Sequence, residues 1–364
     1  VLDEPLRFMQ PEYNRNLHRF AVATAICTFF LVIAGGLVTS TGSALAVPDW
    51  PLSYGTLMPP MVGGIFYEHS HRMVATLVGL LTVVLTVWIW RREKRRWVRI
   101  LSLIALITVI MQGLLGGLTV LFLLPTGVSV GHATLAQTFF CIVTSLAFFT
   151  SRWWLSDHQL PAGSSGKSAL PRSSLQMGGP STFALCVAMT VAVYVQLILG
   201  ALMRHTGSGL AVPDFPLAYG QVFPALSPES VAAYNERLIQ TDMRLAAEGA
   251  VTSSQILIHM VHRLWALVVA GTVIWASIRI RKDSSVSKRL SSFSTTLILL
   301  LLFQISLGAW TVLSMKAVPI ATAHVALGAL LLATCVLVTL HVARISEVQL
   351  SWFSYSVPEK EAIA

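Results

Sequence analysis

Thr41-Gly-Ser-Ala-Leu-Ala-Val-Pro-Asp-Trp-Pro-Leu-Ser-Tyr-Gly55 returns 165 residues later as Thr206-Gly-Ser-Gly-Leu-Ala-Val-Pro-Asp-Phe-Pro-Leu-Ala-Tyr-Gly220, with twelve of fifteen positions identical. The chain is an internal duplication. The match continues as His71-Arg72 against His262-Arg263, as Gln112 to Leu121 against Gln304 to Leu313, and as His132 against His324. Each half therefore carries two histidines in corresponding places.

The surroundings of the repeat are apolar. Of 364 residues 55% are hydrophobic and 11% charged, with mean hydropathy +0.71, which excludes an ordinary soluble protein. Runs of about 20 apolar residues, the length that crosses a bilayer, lie near 20–40, 66–90, 100–123, 130–150, 181–203, 254–278, 293–315 and 320–341. Four spans per half bring both halves into the membrane in the same direction, so the repeat axis is expected along the membrane normal. The expected fold is an all-α polytopic membrane protein, with eight transmembrane helices as two pseudo-twofold related four-helix bundles. Residues 1–155 form the first, 156–180 a Ser/Gly/Pro-rich linker, and 181–364 the second.

Basic residues mark the cytoplasmic side. Nineteen of the 25 Lys and Arg fall in 1–19, 91–99, 151–180, 279–289 and the tail, while the alternate segments hold Arg204, Arg237, Arg244 and Lys316. Both termini, and the linker, are thus expected in the cytoplasm. The net charge of +9 is a topology signal rather than a nucleic-acid footprint. Residues 1–19 are polar, mixed in charge and run directly into a full span, so neither a cleavable leader nor a transit segment is expected there. A bacterial cytoplasmic membrane is preferred over the mitochondrial inner membrane. Cys27, Cys141, Cys186 and Cys335 all fall within spans and form no CxxCH, which argues against covalent haem attachment.

The second half carries an insertion near 221–250, with Glu229, Glu236, Arg237, Asp242, Arg244 and Glu248 at helical spacing. A polar helix on the outer surface is expected.

His71, His132, His262 and His324 are placed in the first turns of even-numbered spans, where an imidazole among apolar side chains must be satisfied or must work. Two histidines on different helices of a bundle suit the axial pair of a haem. Zinc would need a third and fourth ligand, and neither half supplies one. His18, His158, His341 and His205 read as solvated, and His69 as interfacial. Three residues before the first ligand of each pair the halves differ: Glu68 in one, His259 in the other. A carboxylate on the face of His71 suggests a chemically active site in the first half and an electron-transfer haem in the second. Arg72 and Arg263 suit either a haem propionate or the headgroups. The duplicated loops read as lids or as rigid hairpins, and Gln112 and Gln304 as makers of interhelical hydrogen bonds.

The TGSxLAVPD(W/F)PLxYG loops, EHSHR at 68–72, VGHATLAQ at 130–137, HxxHR at 259–263 and AHVALG at 323–328, in this order, resemble the haem A synthases, membrane enzymes of cytochrome oxidase biogenesis. The resemblance implies oxidation of a methyl group of haem O to the formyl group of haem A by successive hydroxylation. It implies His71 and His132 as ligands of the substrate haem iron, His262 and His324 as ligands of a haem b, and Glu68 as the functional glutamate. An electron donor not identified by the sequence is implied, with haem O synthase and cytochrome oxidase assembly factors as candidate partners and a homo-oligomer left open. Val47 and Ser53 stand near the places where some members carry a loop cysteine pair, so the chain is similar to the subgroup lacking it. A di-haem b-type electron carrier without haem modification is the alternative, and a haem-delivery protein a third reading.

Overall fold

The computed structural model describes residues 13–155, 181–240, 249–282 and 288–345. The linker 156–180, His158, Asp242, Arg244, Glu248 and the tail lie outside them. Among the described residues all regular secondary structure is helical: α1 (Arg15–Ser40), α2 (Gly63–Arg92), α3 (Arg96–Leu121), α4 (Thr126–Phe149), a short α5 (Arg152–Leu155), α6 (Thr182–His205), α7 (Pro228–Gln240), α8 (Ser253–Lys282), α9 (Lys288–Leu313) and α10 (Val318–Ile345). Eight of these are long and apolar enough to span a bilayer, as the hydropathy reading expects.

The helices that carry the four histidines start earlier than their apolar runs. Thr252 and Gln255 exchange side-chain-to-backbone hydrogen bonds across the first turn of α8, a capping box that begins the helix in polar sequence. Pro125 precedes α4 and Pro319 sits in the first turn of α10, where a missing N–H costs nothing. His71, His132, His262 and His324 are consequently the ninth, seventh, tenth and seventh residues of their helices. They lie two to three turns deep, not in the first turns.

Neighbouring helices close a ring in each half: α1, α2, α3, α4 and back to α1, then α6, α8, α9, α10 and back to α6. Leu17, Val78, Leu85, Ile89, Phe139 and Leu146 fill the first ring, and Met189, Val273, Ile280, Leu297, Leu332 and Cys335 the second. The halves meet where α1 packs on α10, α6 on α4 and α4 on α10, a pattern unchanged when the halves are exchanged. Thr138 Oγ1 and Tyr194 OH, 2.7 Å apart, hydrogen-bond across that interface. All four cysteines are free thiols.

At the basic end the structure corrects two histidines. His341 is buried and stacks on Trp153 with ring centroids 3.6 Å apart, and His18 Nδ1 lies 3.0 Å from the Ala147 carbonyl. Neither is simply solvated, because the aromatic residues after α4 fold back over the helix ends.

At the opposite end the two repeated loops adopt the same structure. Asp49 accepts the N–H groups of Tyr54 and Gly55 at 2.7 and 2.8 Å, and Asp214 those of Tyr219 and Gly220 at 2.8 and 2.9 Å. Each tyrosine hydroxyl returns to the carbonyl of Ala46 or Ala211. Gly42 and Gly207, and Gly55 and Gly220, take positive φ in both copies, which explains why glycine recurs there. These bonds make each loop a rigid hairpin.

The insertion does form a helix. Ser227 Oγ accepts the Ser230 N–H ahead of Pro228, starting α7, whose Val231, Tyr234 and Leu238 pack on Ala211, Val212 and Tyr219. Tyr234 stacks on Tyr219 at 3.8 Å and 4°. Tyr219 is 7% exposed beneath it, whereas its counterpart Tyr54, with no helix over it among the described residues, is 51% exposed. Asn235 ties α7 down, giving Nδ2–H to the Val231 and Val251 carbonyls and taking the Val251 N–H at 2.7 Å.

Asn235→Ala removes the two bonds to Val251, each worth about 1 kcal/mol. Hydrogen exchange over 228–240 is expected to speed up roughly tenfold to hundredfold with the spans unchanged; unchanged exchange in α7 contradicts this tether. The loop makes a second prediction. The Gly55 and Tyr54 N–H groups hold the Asp49 carboxyl below the usual carboxylate range. Its folded pKa is depressed, so its contribution is present above the unfolded value of about 3.9 and is lost as pH falls through the lower folded value. Tyr54 and Gly55 amides are expected to stay protected down to pH ~4 and to lose protection below it, and Asp49→Ala to lose that protection already at neutral pH.

Candidate functional site

Each histidine pair comes from helices that face one another across a ring: α2 and α4 in the first half, α8 and α10 in the second. A glycine on the next helix receives each ring. A methyl group at Gly35, Gly116, Gly200 or Gly308 would lie 3.2, 3.3, 3.2 or 3.0 Å from Cε1 of His71, His132, His262 or His324. That is tighter than side-chain packing ordinarily allows, so all four imidazoles occupy seats that only glycine leaves open.

One helical turn before three of these glycines stands a glutamine on the same face: Gln112 before Gly116, Gln196 before Gly200, Gln304 before Gly308. Gln304 donates to the His324 carbonyl at 3.1 Å, the interhelical bond expected of it, and Gln196 donates to the His262 carbonyl at 3.1 Å with its amide nitrogen 3.2 Å from Nε2 of that ring. Before Gly35 the residue is Leu31, so His71 alone lacks such a neighbour. Gln196 was not singled out by sequence, although its register with Leu31 in the repeat marks it.

Among the described residues, Nδ1 of His71, His132 and His324 and Oε1 of Gln112, Gln196 and Gln304 are buried without a hydrogen-bond partner. Buried polar atoms in that state call for a ligand or water. No group of three or more His, Cys, Asp or Glu suited to a metal ion occurs among the described residues. Two imidazoles without a third donor fit the two axial positions of a haem and do not fit tetrahedral zinc.

Glu68 is 4% exposed. Its Oε2 accepts the Val47 N–H at 2.8 Å and its Oε1 the Arg72 Nη2–H at 2.6 Å, so both oxygens face the loop. Arg72 Nη1 donates to the carbonyls of Asp49 and Leu52, and Nη2 also to that of Val47. Arg263 repeats the grip on Leu217, Val212 and Asp214. Arg72 and Arg263, expected at a haem propionate or the headgroups, thus turn their Nη donors to the loops. Their Nη donors face loop carbonyls, because the hairpins turn those carbonyls inward over the helix. In the second half His259 takes the place of Glu68 and bonds the loop through Nδ1, 2.9 Å from the Ser208 carbonyl.

His69, expected at the interface, is buried, with Nδ1 2.9 Å from Ser53 Oγ. Ser53 itself is buried because the hairpin folds it under, a contact that the sequence does not announce. Val47 and Ser53, the positions near which similar sequences carry cysteines, therefore contact Glu68 and His69 directly. Trp50 reaches α3, where a methyl at Gly117 would lie 2.7 Å from its ring. The first loop so extends from the helix of His71 to the residue beside the seat of His132. His205, expected in a solvated loop, ends α6 half-buried, with Thr126 Oγ1 3.5 Å from its carbonyl.

Comparison with known proteins gives the family of the chain. The profile of the COX15-CtaA family, described as cytochrome oxidase assembly protein, matches residues 18–64 and 62–336. A protein of Halalkalibacterium halodurans named Heme A synthase is 32% identical over 236 residues, covering 63% of this chain and 72% of that one. Heme A synthases of Alkalihalophilus pseudofirmus (31% over 243 residues, 64% of this chain and 74% of the relative) and Shouchella clausii (32% over 225 residues, 60% and 69%) are similarly related. The matched segments include both loops, all four histidines and every glycine that seats them, and the chain belongs to the COX15-CtaA family of cytochrome oxidase assembly proteins.

Proposed function

We propose that the chain is a haem A synthase, an oxidoreductase that converts the methyl group of haem O to the formyl group of haem A through a hydroxylated intermediate. The observation that carries this reading is the fourfold seat: two pairs of half-buried imidazoles, each ring against a glycine, in a family whose relatives bear that name. His71 and His132 hold the substrate haem in the first half, and His262 and His324 hold a resident haem b in the second. When bound, that haem b supplies one-electron transfer.

The two loops support this division. The second is roofed by α7 and its tyrosine is shut away, which suits a group that stays. The first has no such helix over it among the described residues and its tyrosine is half exposed, which suits a group that must arrive and leave. The carboxylate Glu68, one turn before His71, belongs to the open site. Its carboxylate is held between the Val47 N–H and a charge-assisted hydrogen bond from the Arg72 guanidinium. Loosening of the loop frees one of its oxygens to take or relay a proton beside the substrate. The chain lies in a bacterial cytoplasmic membrane with its basic, aromatic-lined end in the cytoplasm and both loops outside.

Haem extraction and chromatography with mass detection, from membranes of a host that makes haem O, tests the reading. Haem A or its hydroxylated precursor is expected only when the chain is present. Unchanged haem O beside a reduced haem b would instead favour the di-haem electron carrier. Glu68→Ala is expected to abolish product while the second-half haem remains; full activity in that variant contradicts the role of the carboxylate. Gly308→Val is expected to displace His324 and, at an overpacking cost of about 1–3 kcal/mol, to weaken haem retention in the second half about tenfold or more. Gly271→Val on α8, where an added Cβ meets nothing within 4 Å, is expected to leave haem content unchanged, and equal loss from both contradicts the seat.

A further inference from the structure

The halves meet along two seams that the repeat makes equivalent, α4 on α6 and α10 on α1, and the two differ. At the first, the Thr138 hydroxyl of α4 bonds that of Tyr194 on α6, and beside it the hydroxyls of Thr190 on α6 and Thr339 on α10 lie 2.9 Å apart. At the offsets of the repeat, Thr138, Tyr194, Thr190 and Thr339 correspond to Leu330, Phe29, Ala25 and Ala147. All four of these line the other seam, an open groove of about 370 Å³ between α1, α4 and α10. Side chains that hydrogen-bond across one seam are thus replaced at the other by groups that cannot.

The polar lining of the groove, His18, Thr144, Ser151 and Thr334, lies toward the basic end. Thr334 bonds within its own helix, whereas Thr144 Oγ1 is buried with no hydrogen-bond partner among the described residues. Three arginines surround this mouth. Arg15 stands one turn before His18 on the same face of α1 and Arg19 directly after it, both exposed. Arg152, next to Ser151, lies 5.2 Å over the Tyr13 ring, whose centroid is 6.1 Å from that of His18. The one carboxylate at this end among the described residues, Glu93, is paired with Arg95. In the second half Pro180, Phe183 and Ala184 stand at the places of Arg15, His18 and Arg19, so the groove and its basic mouth occur together, in one copy of the repeat.

We propose that this groove binds one anionic phospholipid of the leaflet at the basic end. Arg15, Arg19 and Arg152 meet its phosphate, Thr144 donates to an ester carbonyl, and an acyl chain lies between α1 and α10 as far as Phe29. The dimensions suit a lipid of one leaflet. His18 to Phe29 is eleven residues of helix, about 16 Å of rise, or half of a hydrocarbon core of about 30 Å. The charge selects the headgroup, since cations at a membrane surface are stabilised by anionic lipid and a neutral chain would leave all three arginines unmet. The bound chain joins the halves at the seam where Phe29 and Leu330 stand in place of the Tyr194 and Thr138 hydroxyls.

Native mass spectrometry of the purified full chain, delipidated in detergent and titrated with phosphatidylglycerol or phosphatidylcholine, tests the site. One phosphatidylglycerol per chain is expected, bound about tenfold or more tighter than phosphatidylcholine. Arg15→Gln with Arg19→Gln is expected to weaken it about thirtyfold and to flatten its salt dependence. Arg91→Gln with Arg92→Gln removes the same charge from α2, which does not line the groove, and is expected to leave binding unchanged. Ile26→Trp, at a half-exposed position of the groove wall, is expected to displace the acyl chain and weaken binding about tenfold. Equal loss from both arginine pairs would make the attraction a property of the whole basic end and overturn the site. Equal affinity for the two lipids, or retention of a neutral isoprenoid quinone from the membrane in place of phospholipid, would overturn the anionic ligand. Undiminished binding by Ile26→Trp, or no lipid held by the unaltered chain, would overturn the groove. Should the double arginine variant fail to purify, Arg15→Gln and Arg19→Gln singly decide, at about fivefold each.

Discussion

Four imidazoles stand inside an apolar helical bundle because four glycines make room for them. Within lipid a polar ring gains nothing from its surroundings, so it persists only where its position is fixed and its nitrogens are used. The seats at Gly35, Gly116, Gly200 and Gly308 fix the positions. Everything else at the loop end supports the same geometry. The capping box of α8 and the prolines of α4 and α10 start the helices early enough to carry the rings two to three turns deep. The arginine that follows the first ring of each pair clamps the hairpin above it.

Duplication supplied the scaffold, and a few unmatched residues divide its roles. Glu68 faces His259 across the repeat, Leu31 faces Gln196, and Thr39 faces Arg204. The first half holds a carboxylate, an apolar side chain and a hydroxyl where the second holds an imidazole, an amide and a guanidinium. The insertion that becomes α7 covers only the second loop. These differences act in one direction. On the reading proposed above, they cover the second site and leave the first more exposed, beside an acid.

Span number, the repeat and the four histidines were legible because they are local signals: apolar run length, identity at fixed offset, and a polar residue in an apolar window. Burial of His69 and His341 was not, since it depends on Ser53 and Trp153, residues brought over them by folding. The same holds for Arg72 and Arg263, whose acceptors are backbone carbonyls that no side chain announces. The seats could have been found. Gly35 and Gly200 share the offset of the loops, and Gly116 and Gly308 that of His132 and His324, with a glutamine one turn before three of them. A glycine that recurs in register within an apolar helix marks a close approach.

The division into one exchanging and one resident site is the central claim, and haem exchange measures it directly. Purified holoprotein would be incubated with isotopically labelled haem, and the label retained per chain followed over time by mass spectrometry. The account predicts two phases, a fast one lost in His132→Ala and a slow one lost in His324→Ala. A single phase for both haems, or a fast phase that disappears with His324, would contradict it.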